Sequence, residues 1–460
     1  MAFYAYLCTG EGALIIKNRE ELISSELRSR AVNLIEAGIN SVLPANLMQA
    51  SLRYDDRKKK LAVQGSSYDV SRSRIFVTGG GKAAGLMAEE LEKIIGAGSI
   101  TAGIVNCKSD GYNTGKISVL KAGHPIPDSA GIRGVRNMLA MKARYSIGRD
   151  DLVICLISGG GSALLPFPVS GVTLKDKQNI TQLLLRCGAD IGEINTVRKH
   201  LSLFKGGNLG RFYGPAKVIS LIISDVVGDD LGMIASGPTV PDPSTFNDAC
   251  HVLEKYGLVD KASQNAIDYI RRGCRGLEPE TPKSLDNCDN YLIGNNRLAL
   301  EAMAEKASDL GLKPCIVTAE QTGDTAEVAY AIVRDFIAGK YMGFNVVLIG
   351  GETTPRLPEN SGRGGRNQHY AAVSMLAMRE CPPPWLVASV GTDGSDYLPD
   401  VAGAMVDDRS LDMALASGIN VEDYIARFDS NTLFQKMGKS LIITGPTGTN
   451  VSDVILYLSG

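Results

Sequence analysis

Residues 74–85 read RIFVTGGGKAAG, a short apolar run that ends abruptly in a glycine-rich polar turn. The same pattern recurs along the chain at residues 151–163 (DLVICLISGGGSA), 345–354 (NVVLIGGETT), 385–396 (WLVASVGTDGSD) and 440–450 (SLIITGPTGTN). Continuous runs of Val, Ile and Leu are typical of buried parallel strands. Ligands of such sheets bind just beyond the carboxyl ends of the strands. The turns therefore predict a large site for a polar ligand, and they favour phosphate.

Length and composition exclude several classes of protein. A chain of 460 residues suggests two or three domains. The hydrophobic fraction of 44% and the charged fraction of 21% are typical of a soluble globular protein. The net charge of −2 gives no positive electrostatic field that would attract nucleic acid or a membrane surface. No apolar run reaches the roughly 18 residues of a membrane span. We expect a protein that binds neither nucleic acid nor membrane, as a monomer or a homodimer.

The cysteines and histidines indicate where the protein works. Nine cysteines are dispersed and form no C-x-x-C pair, which is typical of a reduced, cytoplasmic protein. The four histidines are isolated and form no metal-binding motif. Residues 1–18 lack the basic and apolar regions of a secretory signal, so we expect an N-terminal extension of unassigned role.

Strand-like and helix-like segments alternate along most of the chain, which predicts a layered α/β fold with right-handed crossovers. The composition turns helical and charged between about residues 246 and 285, and we place a domain boundary at the end of this stretch. The predicted domains are residues 19–284 and residues 285–460. The run NYLIGNN (290–296) is predicted to open the second domain, and strand 440–444 to end it.

The turn GGGKAAG carries the sharpest signal. Gly79, Gly81 and Ala84 match the dinucleotide pattern G-x-G-x-x-G/A, but the next strand ends in Asn106, without the carboxylate that would hold a ribose. The Walker pattern also fails, because Phe76 stands where its first glycine belongs. What remains is Lys82 at a helix N-terminus, which favours an anion. The alternative is a tight turn with an exposed lysine.

The second turn, SGGGSALLP (158–166), is a nest of backbone N–H donors. It misses the nucleophile elbow G-x-S-x-G because Leu164 replaces the last glycine, so a serine hydrolase is disfavoured. Three successive glycines allow a phosphate chain to approach the backbone closely. A flexible loop is the alternative.

Polar residues elsewhere complete the candidate site. Asn195, Arg198 and Lys199 of NTVRKHLS can share one helix face, although a solvated basic patch is the simpler interpretation. Asp225 ends a predicted strand, a usual place for a metal-binding or base carboxylate.

Two further loops contribute candidates. Arg363 and Arg366 lie in a glycine-rich loop before a helix, where a guanidinium suits carboxylate or phosphate oxygens. Asp393 belongs either to an ordinary Asp-Gly turn or to a site for Mg²⁺ or a hydroxyl group.

Taken in order, the motifs resemble those of the class II glycerate kinases, or glycerate 2-kinases. The series is GGGKAAG, GHPIPD, ISGGGSALL, EINTVRKHLS, ISDVVGDD, ASGPTVPDPST, GGETT, GRGGRNQ, GTDGSD and TGPTGTNVSD. It covers about residues 20–455, and the C-terminal part resembles the MOFRL domain. The stretch GTDGSDYLPDVAG departs in its middle from the family pattern GTDG-x-DGPT-x-x-AG.

The resemblance implies an ATP- and Mg²⁺-dependent kinase that phosphorylates D-glycerate at the 2-hydroxyl. It implies a Rossmann-like N-terminal domain and a smaller MOFRL-type C-terminal domain across an active-site cleft, with Lys82 and Arg366 catalytic. We assign nucleotide binding, acceptor binding and catalysis as follows. Candidates for ATP are Gly79, Gly80, Gly81, Ser158, Gly159, Gly160, Gly161, Ser162 and Asn295. Candidates for glycerate are Asn195, Arg198, Lys199, Glu352, Arg363, Thr392 and Asp393. Asp225 is the candidate for Mg²⁺ or for orienting the hydroxyl group.

Two other functions stay open at this point. A nicotinamide-dependent reductase of hydroxypyruvate or tartronate semialdehyde would use the G-x-G-x-x-A turn, but the missing ribose carboxylate argues against it. A non-catalytic protein that binds nucleotides or sugar acids has little need for a lysine and an arginine placed to act together.

Overall fold

The computed structural model describes residues 14–460 in two compact units. One unit is Leu47–Ile293, and the other joins the chain up to Asn46 to Gly294–Gly460. Most of the predicted N-terminal extension lies outside the described residues. The last part of the extension, from residue 14, is described. There the amides of Ile15 and Ile16 both donate hydrogen bonds to Glu36 Oε1 at 3.1 Å.

The described chain begins with short helices followed by a small antiparallel sheet. These elements are α1 (Arg19–Leu22), α2 (Glu26–Ser41), α3 (Pro44–Ser51), β1 (Leu52–Asp55), β2 (Lys60–Val63) and β3 (Ser66–Asp69). Ser25 caps α2, accepting a hydrogen bond from the amide of Arg28, which satisfies one of the free donors of the first turn. Helix α3 begins at Pro44, where the missing N–H costs nothing.

The sheet of the unit 47–293 is built by strands that alternate with helices. Its strands are β4 (Ile75–Gly80), β5 (Ile100–Cys107), β6 (Ile117–Lys121), β7 (Leu152–Ile157), β8 (Lys217–Ile223) and β9 (Cys288–Gly294). The helices between them are α4 (Ala84–Ile95), α5 (Ser129–Arg144), α6 (Gly161–Leu164), α7 (Leu174–Arg186), α8 (Ile191–His200), α9 (Asn208–Tyr213), α10 (Phe246–Lys255) and α11 (Gln264–Cys274). Short 3-10 turns lie at Ala97–Ser99 and Ile234–Ser236.

The strand order in this sheet is β6-β5-β4-β7-β8-β9, and the pairs from β6 to β8 are parallel. Numbered within the sheet, this is the order 3-2-1-4-5-6 of the Rossmann fold. All residues of β4 and β7 are buried, which explains why both read as unbroken apolar runs. The predicted mostly parallel, Rossmann-like sheet is confirmed.

The second six-stranded sheet has the order β10-β11-β15-β12-β13-β14. Its strands are β10 (Pro314–Gln321), β11 (Val346–Gly351), β12 (Trp385–Gly391), β13 (Gly403–Asp407), β14 (Leu441–Ile442) and β15 (Asp453–Ser459). Its helices are α12 (Asn296–Asp309), α13 (Thr325–Ile337), α14 (Arg366–Ala377), α15 (Ser410–Ala416), α16 (Val421–Ala426) and α17 (Ser430–Met437), with a 3-10 turn at Met378–Glu380. No helix of residues 14–460 is long and apolar enough to cross a membrane.

This second sheet is mixed, which corrects the expectation of parallel strands at every glycine turn. Only β10 and β11 run parallel, while the central strand β15 is antiparallel to both β11 and β12. The run SLIIT, predicted as a full terminal strand, yields only the two-residue strand β14. A fully buried strand reads as an apolar run whichever way its neighbours point, so direction was not predictable from the runs.

The division between the units also differs from the predicted domains. Strand β9 joins the first sheet beside β8, so the run NYLIGNN closes that sheet and does not open the second unit. Helix α2 belongs to the other unit, where Gly38 lies against Met303 of α12. The absence of a Cβ at Gly38 permits this close helix contact, because a Cβ there would lie 2.7 Å from Met303 Cγ.

Candidate active site

The two turns with the strongest sequence signals meet at one edge of the first sheet. Strands β4 and β7 are parallel neighbours at the point where the strand order reverses, which is where ligands bind in such sheets. The Lys82 amide donates to the Gly159 carbonyl at 2.8 Å, and the Ala83 amide donates to Ser158 Oγ at 3.0 Å. The structure therefore brings Lys82 and the 158–162 turn together, as the sequence predicts.

Glycine is required for the two turns to approach this closely. Gly81 has a φ of +157°, and a Cβ on it would lie 2.1 Å from Ser158 Oγ. Gly79, with φ +119°, would place a Cβ 2.1 Å from the Leu156 carbonyl oxygen. Any side chain would drive β4 and β7 apart, so these glycines shape the turn around Lys82.

Asp225 lies at the same edge, after β8, which neighbours β7. A Cβ on Gly159 would lie 2.0 Å from Asp225 Oδ2, so the carboxylate rests directly against the bare backbone of the turn. Residues 14–460 contain no cluster of three or more His, Cys, Asp or Glu that could hold a metal ion by itself. Mg²⁺ is usually held by one or two carboxylates together with substrate phosphates, so a single carboxylate such as Asp225, beside a turn with open backbone, fits Mg²⁺.

His124 also belongs to this group, although the sequence did not predict it as a site residue. A Cβ on Gly160 would lie 2.9 Å from His124 Nε2 and 3.1 Å from Lys82 Cγ, so both side chains converge on that glycine. Burial, together with the charges of Lys82 and Lys108, lowers the pKa of His124 to about 4, which leaves the imidazole neutral at pH 7. Its position in the motif GHPIPD was visible, but a lone histidine carries no specific chemical signal.

Helix α8 supplies a buried face and not the solvated patch that its charges suggest. Asn195 Oδ1 accepts a hydrogen bond from Ser236 Oγ at 3.0 Å, and Ser236 Oγ lies 2.8 Å from Ser162 Oγ. Asn195 is thus joined to the 158–162 turn. Lys199 Nζ lies 3.3 Å from Asp242 Oδ1, with both side chains buried, so its charge has a structural partner. Arg198 is half-buried, and loss of solvent lowers its pKa.

In the other unit, a second group forms where β11, β15 and β12 meet. Gly351 at the end of β11 and Gly391 at the end of β12 both stand opposite Asp453 at the start of β15. Arg366 begins α14 and donates to Asp453 through Nε at 2.6 Å and Nη2 at 3.0 Å. Its Nη1 donates to Glu352 at 2.6 Å. Burial lowers the pKa of Arg366, but Asp453 and Glu352 outweigh burial and raise it above its usual value.

Two carboxylates of this group were not assigned from the sequence, although both end quoted motifs. Asp453 holds Arg366, as described above. Asp396 caps α14, where it accepts hydrogen bonds from the amides of Asn367 at 3.0 Å and Gln368 at 2.8 Å. Burial raises the pKa of Asp396 to about 6 although these amides lower it. Both residues position the helix that carries Arg366.

The remaining predicted residues have hydrogen-bond partners within the protein. Asn295 caps α12 and accepts from the Leu298 amide, and Asp393 accepts from the amide and hydroxyl of Ser395, which matches the Asp-Gly-turn alternative. The Thr392 hydroxyl donates to the Ser452 carbonyl at 2.7 Å and accepts from the Val451 amide at 2.9 Å. Arg363 is exposed, and its amide donates to Asp429.

Comparison with known proteins places both parts of the chain. Residues 30–271 match the domain of unknown function DUF4147, and residues 345–453 match the MOFRL family. The chain is 37% identical to the glycerate 2-kinase of Pyrococcus horikoshii over 95% of this chain and 98% of that protein. It is 38% identical to an Agrobacterium vitis protein named "Putative hydroxypyruvate reductase", over 87% of this chain and 91% of that protein. The crystal structure of the Thermotoga maritima glycerate kinase matches with a TM-score of 0.82 and 34% identity, over 94% of this chain and 99% of that chain.

Proposed function

The chain belongs to the MOFRL family of class II glycerate kinases, and we propose that it transfers the γ-phosphoryl group of ATP to the 2-hydroxyl of D-glycerate, yielding 2-phosphoglycerate and ADP. One observation carries the proposal: Lys82, Asp225 and the 158–162 turn converge at the Rossmann switch point. This edge of the sheet offers a cation, a carboxylate and backbone donors within one small volume. These are the groups that phosphoryl transfer requires.

Donor binding falls to the turns after β4 and β7. Phosphoryl transfer depends on positioning and on neutralising charge over the phosphate oxygens. In this proposal Lys82, at the start of the twelve-residue helix α4, contacts the transferring group, and the positive end of the helix adds to its attraction. Gly79–Gly81 and Gly159–Gly161 leave the backbone open to the phosphate chain. Ser158 acts on the turn, since its hydroxyl accepts from the Ala83 amide.

Asp225 would hold Mg²⁺ together with the phosphates of the donor. When bound, Mg²⁺ neutralises phosphate charge and orients the phosphate oxygens. Asp225 is suited to this role because its carboxylate already lies against Gly159, beside the phosphate-binding turn. Arg198 is the residue proposed for the glycerate carboxylate, since a guanidinium matches two carboxylate oxygens.

Arg366 is proposed as the second catalytic cation, on the C-terminal unit. Its guanidinium is oriented by Asp453 and Glu352, so it is ready to stabilise charge that develops on a phosphoryl group. The predicted cleft between the two units stays a prediction, as do the cytoplasmic location and the monomer or homodimer.

The decisive experiment identifies the product. The full-length protein is incubated with ATP, Mg²⁺ and D-glycerate, and the product is assigned by ³¹P NMR against authentic 2- and 3-phosphoglycerate. We expect the 2-phosphate, no product without divalent metal, and much slower turnover of L-glycerate. Appearance of the 3-phosphate would refute the regiochemistry, and absence of any phosphoester would refute the kinase.

The Agrobacterium relative's name makes a reductase the second candidate function. In a dinucleotide-binding fold of this order, a carboxylate at the end of the second strand holds the ribose. Here β5 ends in Asn106 and Cys107, and the buried Asn106 amide donates to the carbonyls of Gly131 and Leu164. Oxidation of NADH or NADPH by hydroxypyruvate, without ATP, is therefore expected to be undetectable, and its detection would favour the reductase.

A further inference from the structure

Three basic side chains of the unit 47–293 lie close to one another around helix α8. Lys177 lies on α7, Arg198 on α8, and Lys205 in the segment that leads to α9. Lys205 is 1% exposed and Lys177 is 7% exposed. Lys177 Nζ donates to the Arg198 carbonyl at 3.5 Å, and the charge of Arg198 acts on both lysines. We call these residues the cation cluster.

The cation cluster has no acidic partner within residues 14–460. Its neighbours on α8 differ in this respect, since Lys199 pairs with Asp242 and His200 Nε2 lies 3.1 Å from Glu280. A buried charge is normally paired or bound to a ligand, because burial without a partner is costly. The neighbours of the cluster therefore provide no negative counterpart for its charge.

The cation cluster is attached to the candidate active site by hydrogen bonds. Lys205 Nζ donates to the carbonyl of Ser162 at 2.9 Å and to that of Ala235 at 3.4 Å. Ser162 is linked in turn through Ser236 to Asn195 on α8. These bonds tie the buried lysine to the end of the 158–162 turn, so a negative group bound by the cluster would lie beside the backbone of that turn.

We propose that the cation cluster is the site for the acceptor's carboxylate, with Arg198 in contact with it and Lys177 and Lys205 as buried positioning cations. This inference rests on the proposed function. A carboxylate is favoured over a donor phosphate because Lys82 and the helix α4 N-terminus already serve the phosphates. Burial, followed by the charge of Arg198, lowers the pKa of Lys177 to about 7, and burial lowers that of Lys205 well below its usual range. A bound carboxylate reverses this effect, so acceptor binding draws a proton onto the cluster.

The test is calorimetric titration of D-glycerate into the ADP-saturated full-length protein at pH 8. HEPES and Tris differ in ionisation enthalpy, so the difference between the two heats gives the number of protons taken up. We expect net proton uptake for the wild-type protein. Lys177→Met is expected to bind D-glycerate about tenfold more weakly, as for loss of a charged partner, and with less proton uptake, because only Lys205 remains to be protonated. Its affinity for ADP should be unchanged.

Stability measured without ligand supplies a second readout and a matched control. Lys177→Met removes an unpaired buried charge and should leave the melting temperature equal to or above the wild-type value. Lys199 lies on α8, next to the helix α7 that carries Lys177. Lys199→Met leaves Asp242 buried without its cationic partner and should lower the melting temperature. Lys205→Met is the second variant, although it also removes the donor to two carbonyl groups and is expected to be less stable.

The outcomes separate this inference from the proposed kinase. Wild-type affinity and proton uptake in Lys177→Met overturn the carboxylate site, even if the protein phosphorylates D-glycerate. If Lys177→Met loses affinity for ADP and keeps its affinity for D-glycerate, the carboxylate site is also overturned, because the cluster would then bind the donor phosphates. Absence of D-glycerate binding to the wild-type protein also overturns the carboxylate site. Cluster-dependent binding without phosphoryl transfer supports the inference and refutes the kinase.

Discussion

The buried carboxylate of Asp453 accepts two hydrogen bonds from the guanidinium of Arg366 and so fixes the plane of that side chain. A bidentate pair of this kind constrains orientation as well as distance. The Asp453 side chain is 4% exposed, whereas the Glu352 side chain that binds the other arm of Arg366 is 43% exposed. The geometry of the proposed catalytic arginine therefore depends chiefly on Asp453.

Replacing Asp453 with Asn should impair catalysis more than substrate binding. Asn has nearly the same shape but cannot accept both hydrogen bonds, so Arg366 loses its fixed plane. We expect kcat to fall by about 10²-fold, the scale of a misplaced catalytic group, with KM values for ATP and D-glycerate within a few-fold of the wild type.

Glu352→Gln is the matched control for Asp453→Asn. It alters the exposed partner of the same guanidinium and should reduce kcat much less. Melting temperatures of both variants establish whether the fold is kept. Equal kcat in Asp453→Asn and the wild type would show that Arg366 needs no such constraint.

Lys82→Met should slow turnover strongly while leaving the fold intact. The half-buried side chain lies at the surface of the turn, so its loss creates no core cavity. We expect kcat to fall by about 10³-fold, the lower range for removal of a phosphoryl-contacting cation, with ADP still bound. Lys82→Arg restores the charge and should recover part of the rate.

Lys82 and Arg366 can also be tested as a pair. If both act on the same phosphoryl group, Arg366→Ala should cost less in the Lys82→Met background than in the wild type. Strictly additive losses in single-turnover measurements would assign the two residues to different steps.

The elements around Lys82 were predictable because they depend on local sequence. Strand β4 ends in glycine and α4 follows, and parallel strands place their ends at one edge, so Lys82 and Ser158 were expected together. The partners contributed by distant segments were not predictable. The pairing of Asp453 with Arg366 requires β15 to lie antiparallel between β11 and β12, and its apolar run VILYL carries no information on direction.

The buried lysines illustrate the same limit. A single lysine in a glycine-containing turn, such as Lys205 in FKGG, normally indicates an exposed loop. Only tertiary packing shows that Lys205 is buried with its Nζ on two carbonyl oxygens. Sequence patterns report periodicity and breakers, and they do not report which charge is left without a partner.

Gly159→Ala should move Asp225 without disturbing the sheet. The new Cβ would lie 2.0 Å from Asp225 Oδ2, and that flexible side chain can shift more easily than the backbone. We expect kcat to fall by about 10²-fold and the Mg²⁺ concentration needed for half-maximal rate to rise.

Gly98→Ala is the matched control, because nothing lies within 4 Å of its Cβ position. It should leave kcat, the Mg²⁺ requirement and the melting temperature at wild-type values. Wild-type kinetics in Gly159→Ala as well would remove Asp225 from the metal role.

His369 should make the protein less stable in mild acid. Its ring is 2% exposed, stacks on Phe428 at 3.8 Å between centroids, and has a buried Nδ1 without a hydrogen-bond partner in residues 14–460. Burial lowers its pKa from 6.5 to about 4, although Asp324 acts in the opposite direction. Between these values the unfolded chain binds the proton and the folded chain does not, so the free energy of unfolding falls as pH falls.

His369→Phe keeps the stacking on Phe428 and removes this titration. Relative to the wild type, the variant should gain unfolding free energy as pH is lowered from 6.5 towards 4, by at most about 1.4 kcal/mol per pH unit. Urea denaturation at pH 7 and pH 5 measures the difference, and the lowered pKa of His124 cancels because both proteins retain it. A stability difference that is the same at both pH values would mean that His369 titrates alike in the folded and unfolded chains.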